Sequence, residues 1–103
     1  MSDKISLHAA IVSIESPKFD LGQIVATPNA LSSLAQDDIL VALGRHVRGD
    51  WGELGPEDRN ANEGALLRGG RLFSAYLSTN QVKFWIITEC DRSATTVLLP
   101  EDY

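Results

Sequence analysis

The chain has 103 residues, the length of one domain and too short to hold two. Hydrophobic residues make up 44% of it and charged residues 22%, a balance that excludes collagen-like and wholly disordered proteins. Nine Lys and Arg against fourteen Asp and Glu leave a formal net charge of −5. This charge argues against nucleic-acid binding, because neutralising phosphates requires a basic stripe.

Cysteine content and hydropathy indicate where the protein is located. The single cysteine, Cys90, excludes an internal disulfide and is typical of a reducing cytoplasm. No apolar run approaches the roughly 20 residues that a membrane-spanning helix needs. The first residues lack a basic region followed by an apolar stretch, so no secretory signal is predicted. We therefore expect a cytoplasmic protein without membrane association.

The chain is expected to divide near residue 18. Residues 5–14 are apolar enough for a strand or a short helix, but Pro17 and the polar residues before it end that segment quickly. Residues 1–18 are therefore predicted to be an N-terminal appendage or an extra strand. Residues 19–103 are predicted to form a single α+β domain, whose first element is a short strand over residues 21–26.

Three helices are predicted: one over residues 28–35, a second that follows a cap at residue 37 or 38 and runs through Val47, and a third over residues 56–67. Thr27 followed by Pro28 is typical of a helix start, because the hydroxyl caps the first turn and proline at the first helical position loses no hydrogen bond. Asp37 or Asp38 is expected to cap the second helix, and Gly49 is expected to end it.

From residue 71 the hydrophobic period changes to two. Strands are predicted over residues 71–78, 82–89 and 94–99. The two short connections favour consecutive hairpins. We therefore predict an α+β fold with a small antiparallel sheet, a three-strand C-terminal meander plus the early strand, and helices packed on one face. The last strand is expected to be an open edge, which predicts pairing into a homodimer.

A loop with one large aromatic residue separates the second and third helices. Gly49 and Gly52 flank Asp50 and Trp51. If Trp51 is buried, its indole N–H requires an acceptor, which Asp50 or a carboxylate of the helix beginning at Pro56 can supply. The sequence predicts that this loop fastens the helical layer to the sheet.

Metal and catalytic chemistry have little support. One Cys and two His, His8 and His46, form no spaced zinc ligand set. His46 and Asp50 at a helix end could meet Glu89 and Asp91 at a hairpin and bind Mg²⁺ or Mn²⁺. That arrangement defines the alternative function, a small divalent-metal-dependent hydrolase or nuclease-like enzyme. The competing interpretation is solvated or ion-paired acids. No nucleophile elbow or phosphate loop is present, and no cofactor is expected.

Polar and aromatic residues on the predicted strands point instead to an interface. Aromatic residues and arginine are enriched in protein–protein interfaces. The opposing interpretation, a helix-covered face and a plain solvent-exposed face with Trp85 half-buried, remains open. The candidate interface residues are Trp51, Arg71, Tyr76, Trp85, Glu89 and Arg92.

Three blocks of sequence carry a family resemblance. They are Gly22-Gln23-Ile24-Val25-Ala26-Thr27-Pro28, then Arg45-His46 with Gly49-Asp50-Trp51-Gly52, and Trp85-Ile86-Ile87-Thr88-Glu89 with Asp91-Arg92-Ser93 and Leu98-Leu99-Pro100-Glu101. This pattern, over residues 21–103, resembles small bacterial proteins of mobile elements labelled "plasmid-related protein" or "type I restriction endonuclease subunit M". Residues 1–20 and Cys90 depart from that pattern.

The resemblance implies a genomic neighbourhood but no established activity. A methyltransferase is excluded, because the chain lacks an Asn/Asp-Pro-Pro-Tyr/Phe motif and is too short for a doubly wound sheet. We expect a non-enzymatic protein-interaction or accessory protein of mobile-element origin. The resemblance implies that it acts on a host-defence or plasmid-maintenance component.

Overall fold

The computed structural model describes residues 5–6 and 16–103. The strands are β1 (Ile5–Ser6), β2 (Gln23–Ala26), β3 (Leu72–Leu77), β4 (Lys83–Thr88) and β5 (Ala94–Leu98). The helices are α1 (Pro28–Ser33), α2 (Gln36–Val47), α3 (Pro56–Arg68) and a C-terminal 3₁₀ turn (Pro100–Asp102). Every helix and strand predicted from residue 21 onward is present, and the α+β class with helices on one side of the sheet is confirmed.

The sheet is mixed rather than purely antiparallel. Its strand order is β1-β2-β5-β4-β3. The β3–β4 and β4–β5 pairs are the two predicted antiparallel hairpins. The early strand β2 runs parallel to β5, with Ile24 opposite Thr95. Parallel neighbours need a long crossover connection, which here comprises all three helices and the first two strands of the meander.

The strand β5 is not an edge strand, so the predicted open edge at residues 94–99 is wrong. It lies between β2 and β4. The edge strand β3 has the outward backbone groups of Phe73 and Ala75 occupied. The Ala75 N–H donates to the carbonyl of Trp51, and the N–H of Glu53 donates to the carbonyl of Ala75 at 2.7 Å. The side-chain amide of Asn62 pairs with both the N–H and the carbonyl of Phe73.

The helix starts follow from local chemistry, with one correction. Thr27 caps α1 as predicted, because its Oγ accepts the N–H of Ala30 at 3.1 Å. The helix α2 begins earlier than predicted, with Ala35 at the cap position. Asp37 and Asp38 therefore lie inside the first turn, where carboxylates favour the positive end of the helix dipole.

The hydrophobic core lies between the helices and one face of the sheet. The helix α2 buries an apolar stripe, Ile39, Leu43 and Val47, against it. The core cluster consists of Ala26, Ala30, Leu34, Ile39, Ala42, Leu43, Tyr76, Phe84, Ile86, Val97 and Leu99. We call the opposite side of the sheet, which faces away from the helices, the outer face.

The N-terminal segment is described only in part. Ile5–Ser6 pairs with β2, with Ile5 opposite Ala26. The remaining residues of the predicted strand over 5–14 lie outside the described part, so the division of the chain near residue 18 stays a prediction. Among residues 5–6 and 16–103, no helix is long and apolar enough to cross a membrane.

Candidate functional site

His46 lies at the centre of a buried chain of hydrogen bonds. It belongs to the last turn of α2 and its side chain has no exposed surface. Its Nδ1 lies 2.6 Å from Ser74 Oγ, and its Nε2 lies 2.9 Å from Thr88 Oγ1. Thr88 continues the chain to Thr95 Oγ1 at 2.8 Å, and Thr95 donates to the carbonyl of Leu21 at 2.6 Å. The chain therefore ties α2 to three elements of the sheet layer.

The direction of these hydrogen bonds follows from counting protons. The carbonyl of Leu21 can only accept, so Thr95 donates to it and must accept from Thr88. Thr88 then has no proton left for His46, so it accepts from the Nε2–H of the imidazole. The Nδ1 atom consequently accepts from Ser74. Neutral His46 with its proton on Nε2 is the single tautomer that satisfies all four bonds.

Burial prevents His46 from acting as a base at the surface. Desolvation, with a smaller contribution from the positive charge of Arg92, lowers the pKa of His46 from 6.5 to about 3. Both ring nitrogens are already hydrogen-bonded within the protein. His46 is therefore a structural residue rather than a metal ligand or general base.

The other residues of the predicted metal site are held in separate places. Asp50 receives two hydrogen bonds from Arg45, at 2.7 and 3.2 Å, and this contact lowers the pKa of Asp50. Glu89 lies 3.5 Å from Arg71. Asp91 accepts the backbone N–H of Ser93. Across the described ranges, no three His, Cys, Asp or Glu side chains are grouped to hold a metal ion.

Two of the six interface candidates are buried on the helix side. The indole N–H of Trp51 donates to Glu63 Oε2 at 2.9 Å, so the predicted acceptor on the helix beginning at Pro56 is confirmed. Trp51 stacks on Phe19 with ring centroids 6.3 Å apart. Tyr76 donates to the carbonyl of Asp50 at 2.6 Å. Because these side chains are 4% and 2% exposed, neither Trp51 nor Tyr76 can meet a partner.

Arg92 fastens the β4–β5 hairpin to the end of α3. Its Nη1 donates to the carbonyls of Gly70 and Glu89, and its Nη2 donates to the carbonyl of Ala65 at 3.1 Å. The guanidinium also lies over the ring of Phe19, 5.7 Å from its centroid. Through these contacts Arg92 acts as a structural link between the β4–β5 hairpin and α3.

The remaining three candidates meet on the outer face. Trp85 makes edge contacts with Phe73 and Tyr103, with ring centroids 5.1 and 5.8 Å apart. The guanidinium of Arg71 donates to the hydroxyl of Tyr103 at 3.2 Å and lies 3.5 Å from the carboxylate of Glu89. We call Phe73, Trp85 and Tyr103 the aromatic row.

Two shallow depressions adjoin the aromatic row. The first, of about 210 Å³, is lined by Arg71, Phe73, Trp85, Ile87 and Tyr103. The second, of about 280 Å³, shares Arg71, Ile87 and Tyr103 with the first and continues toward Glu89 and Thr96. The first depression is mainly apolar and the second is mixed, and the only described cation in either lining is Arg71. Such a surface can accept apolar side chains beside a few polar contacts.

The position of Tyr103 is fixed by hydrogen bonds between its neighbour Asp102 and the start of α1. Asp102 accepts hydrogen bonds from Thr27 Oγ1 at 2.6 Å and from Asn29 Nδ2 at 2.7 Å. The bond from Thr27 lowers the pKa of Asp102. These bonds hold the C-terminal 3₁₀ turn so that Tyr103, 71% exposed, lies beside Trp85 and Arg71.

Sequence reasoning missed Phe73 and Tyr103. Phe73 carried a usable signal, because strict alternation places it on the face opposite Ser74 and Tyr76 and on the same face as Trp85. The position of Tyr103 carried no local signal, because it depends on the distant contact between Thr27 and Asp102.

No family model, curated protein or solved structure matches this chain. The resemblance to the plasmid-related family therefore stays a prediction.

Proposed function

We propose that this chain is a non-enzymatic protein-interaction protein and that its partner binds the outer face. The observation that supports the proposal is the aromatic row, with Trp85 between Phe73 and Tyr103. The pair of Arg71 and Glu89 lies at its border and gives the apolar patch a polar rim. Aromatic residues and arginine within a polar rim are the composition of binding surfaces.

The alternative of a metal-dependent hydrolase has no support among the described residues. His46 is committed to Ser74 and Thr88, and Asp50 is committed to Arg45. A cytoplasmic location and an origin in mobile elements stay part of the proposal. They rest on the single cysteine and on the family resemblance, respectively.

Site-specific photo-crosslinking tests the proposal. A benzoylphenylalanine replaces Leu77, which is 43% exposed on the outer face, or Val41, which is 65% exposed on α2. In cells that produce the chain, we expect adducts of defined mass from position 77 and none from position 41. Trp85→Ala in the position-77 variant should remove these adducts while the circular dichroism spectrum is retained. Equal adducts from both positions, or none from either, would contradict the proposal.

A further inference from the structure

We infer that the partner bound by the outer face is a second copy of this chain. The two sheets lie face to face, and their β4 strands run antiparallel across a two-fold axis at the level of Ile86. This inference rests on the proposed function, because it names the partner of the same surface. Two independent observations carry it: the placement of charges along β4 and the alternation of side-chain volumes along β3.

The charges on β4 are self-complementary. Lys83 and Glu89 are both an even number of positions from Trp85, so all three side chains lie on the outer face. Lys83 and Glu89 lie on either side of Ile86 at equal distance along the chain, and about 20 Å separates them. A two-fold axis at Ile86 therefore brings each Lys83 opposite Glu89 of the second copy.

These charged groups are available for such pairing. Lys83 is exposed, and the ion pairs within the described residues, Arg45–Asp50 and Arg71–Glu89, do not include it. Glu89 keeps only a long contact of 3.5 Å to Arg71. Although the whole chain has a net charge of −5, the outer face carries Arg71 and Lys83 against Glu89 on its β3–β4 hairpin. The hairpin therefore adds no net negative charge to the repulsion between acidic copies.

The side-chain volumes are complementary about the same axis. Ser74 lies opposite Ile86 in the β3–β4 pair, so the axis passes β3 at Ser74. It places Phe73 against Ala75 of the second copy, a large side chain over a small one, and this contact occurs twice. The same axis places the aliphatic stem of Arg71 over Leu77 of the second copy, which covers an exposed apolar residue.

The packing geometry tolerates these contacts. Aligned sheets pack about 10 Å apart with strands rotated by about 30°. That rotation displaces the ends of β4 sideways by about 5 Å, a distance that the long side chains of Lys83 and Glu89 can span. Pairing through the edge of β3 is obstructed at its centre, because Trp51 and Glu53 occupy the backbone groups of Ala75 and Asn62 occupies those of Phe73.

Sedimentation equilibrium with charge-reversal variants tests the inference. The wild-type chain is expected to sediment at high micromolar concentration with twice its mass of 11.2 kDa. Lys83→Glu and Glu89→Lys should each raise the dissociation constant by about tenfold or more, because like charges then face each other twice. The double variant, Lys83→Glu with Glu89→Lys, should recover the dimer. An equimolar mixture of the two single variants should form a heterodimer.

Asp37→Lys is the matched control, because Asp37 is an exposed acid on α2, on the helix side. It should leave the dimer unchanged. A wild-type chain that sediments at 11.2 kDa overturns the inference. A dimer indifferent to both single variants also overturns it, as does a double variant no better than the single ones. If the chain is monomeric but position 77 crosslinks to another protein, this inference fails and the proposed function stands. If it is monomeric and position 77 gives no adduct, both fail.

Discussion

Ser74 donates a hydrogen bond of 2.6 Å to Nδ1 of His46 in the fully buried interior. Ser74 is the only member of the hydrogen-bond chain that supplies a proton to this nitrogen. Removing the hydroxyl leaves a buried acceptor unpaired, and an unpaired buried group costs more than the net value of one hydrogen bond.

Ser74→Ala is therefore expected to lower the free energy of unfolding by about 1–3 kcal/mol. Urea denaturation followed by tryptophan fluorescence measures the change. Ser32→Ala, at an exposed position of α1, is the control and should change the unfolding free energy by less than about 0.5 kcal/mol. A Ser74→Ala variant as stable as the wild type would mean that this buried hydrogen bond contributes nothing to stability.

Acid should destabilise the fold through His46. The pKa of this residue is about 3 in the folded chain and close to 6.5 in the unfolded chain. Between these values the unfolded state binds more protons, so stability rises with pH and falls as pH is lowered below 6.5. The expected slope approaches about 1.4 kcal/mol per pH unit once the pH is well below 6.5.

Urea denaturation at about pH 7, 6 and 5 measures this slope. That window avoids the carboxylates of Asp50 and Asp102, whose pKa values are lowered. His46→Asn should be less stable at pH 7 and should lose most of the slope. An unchanged slope in this variant would assign the pH dependence to another group.

Trp51→Ala should cost about 3–5 kcal/mol, the range for a buried large aromatic side chain. Trp51→Phe retains much of the contact with Phe19 but loses the bond to Glu63, so it should cost less. Thermal unfolding compares the two variants. A Trp51→Ala variant with an unchanged melting temperature would show that the loop does not fasten the helices to the sheet.

Asp50→Asn should cost less than about 1 kcal/mol, because the side chains of Arg45 and Asp50 are 38% and 50% exposed and solvent screens their attraction. The partner of Asp50 is Arg45, in the last turn of α2, at 2.7 Å. Urea denaturation at low and high salt measures the cost. A loss of several kcal/mol would mean that this pair is more protected from water than its exposure indicates.

Gly52 and Gly55 form a matched pair for testing backbone constraint. Gly52 has φ +76° and its backbone approaches the carbonyl of Ala75, so an added Cβ would collide with that carbonyl and with the ring of Tyr76. Gly55 has open space around the same position. Gly52→Ala is expected to cost about 2 kcal/mol or more, and Gly55→Ala is expected to be tolerated. Melting temperatures measure both, and equal costs would contradict the close approach.

The elements were predictable because their signals are local. Thr27 and Pro28 specify a helix start within one turn, and the alternation from residue 71 specifies the strands. The parallel pairing of β2 with β5 was not predictable in this way, because no local pattern encodes the neighbour of an isolated strand. That pairing makes β5 an inner strand, which is why the expected open edge was wrong.

Half of the candidate interface residues were grouped correctly from the sequence. Arg71, Trp85 and Glu89 do meet, but Tyr76 was grouped with them although it points to the opposite face of the sheet. Successive residues of a strand point to opposite faces of the sheet. The position of a residue along its strand, rather than its type, therefore decides which side chains share a face. The contribution of Tyr103 depends on contacts between segments far apart in the chain.

One oxygen atom, Thr27 Oγ1, both accepts the N–H of Ala30 at the start of α1 and donates to Asp102, which lies 75 positions further along the chain. The order of folding follows from this double role. The helix start can form as soon as residue 30 has been synthesised, whereas the bond to Asp102 closes a loop over most of the domain and must form late. The aromatic row is therefore completed only after segments 75 positions apart have met, later in folding than the start of α1.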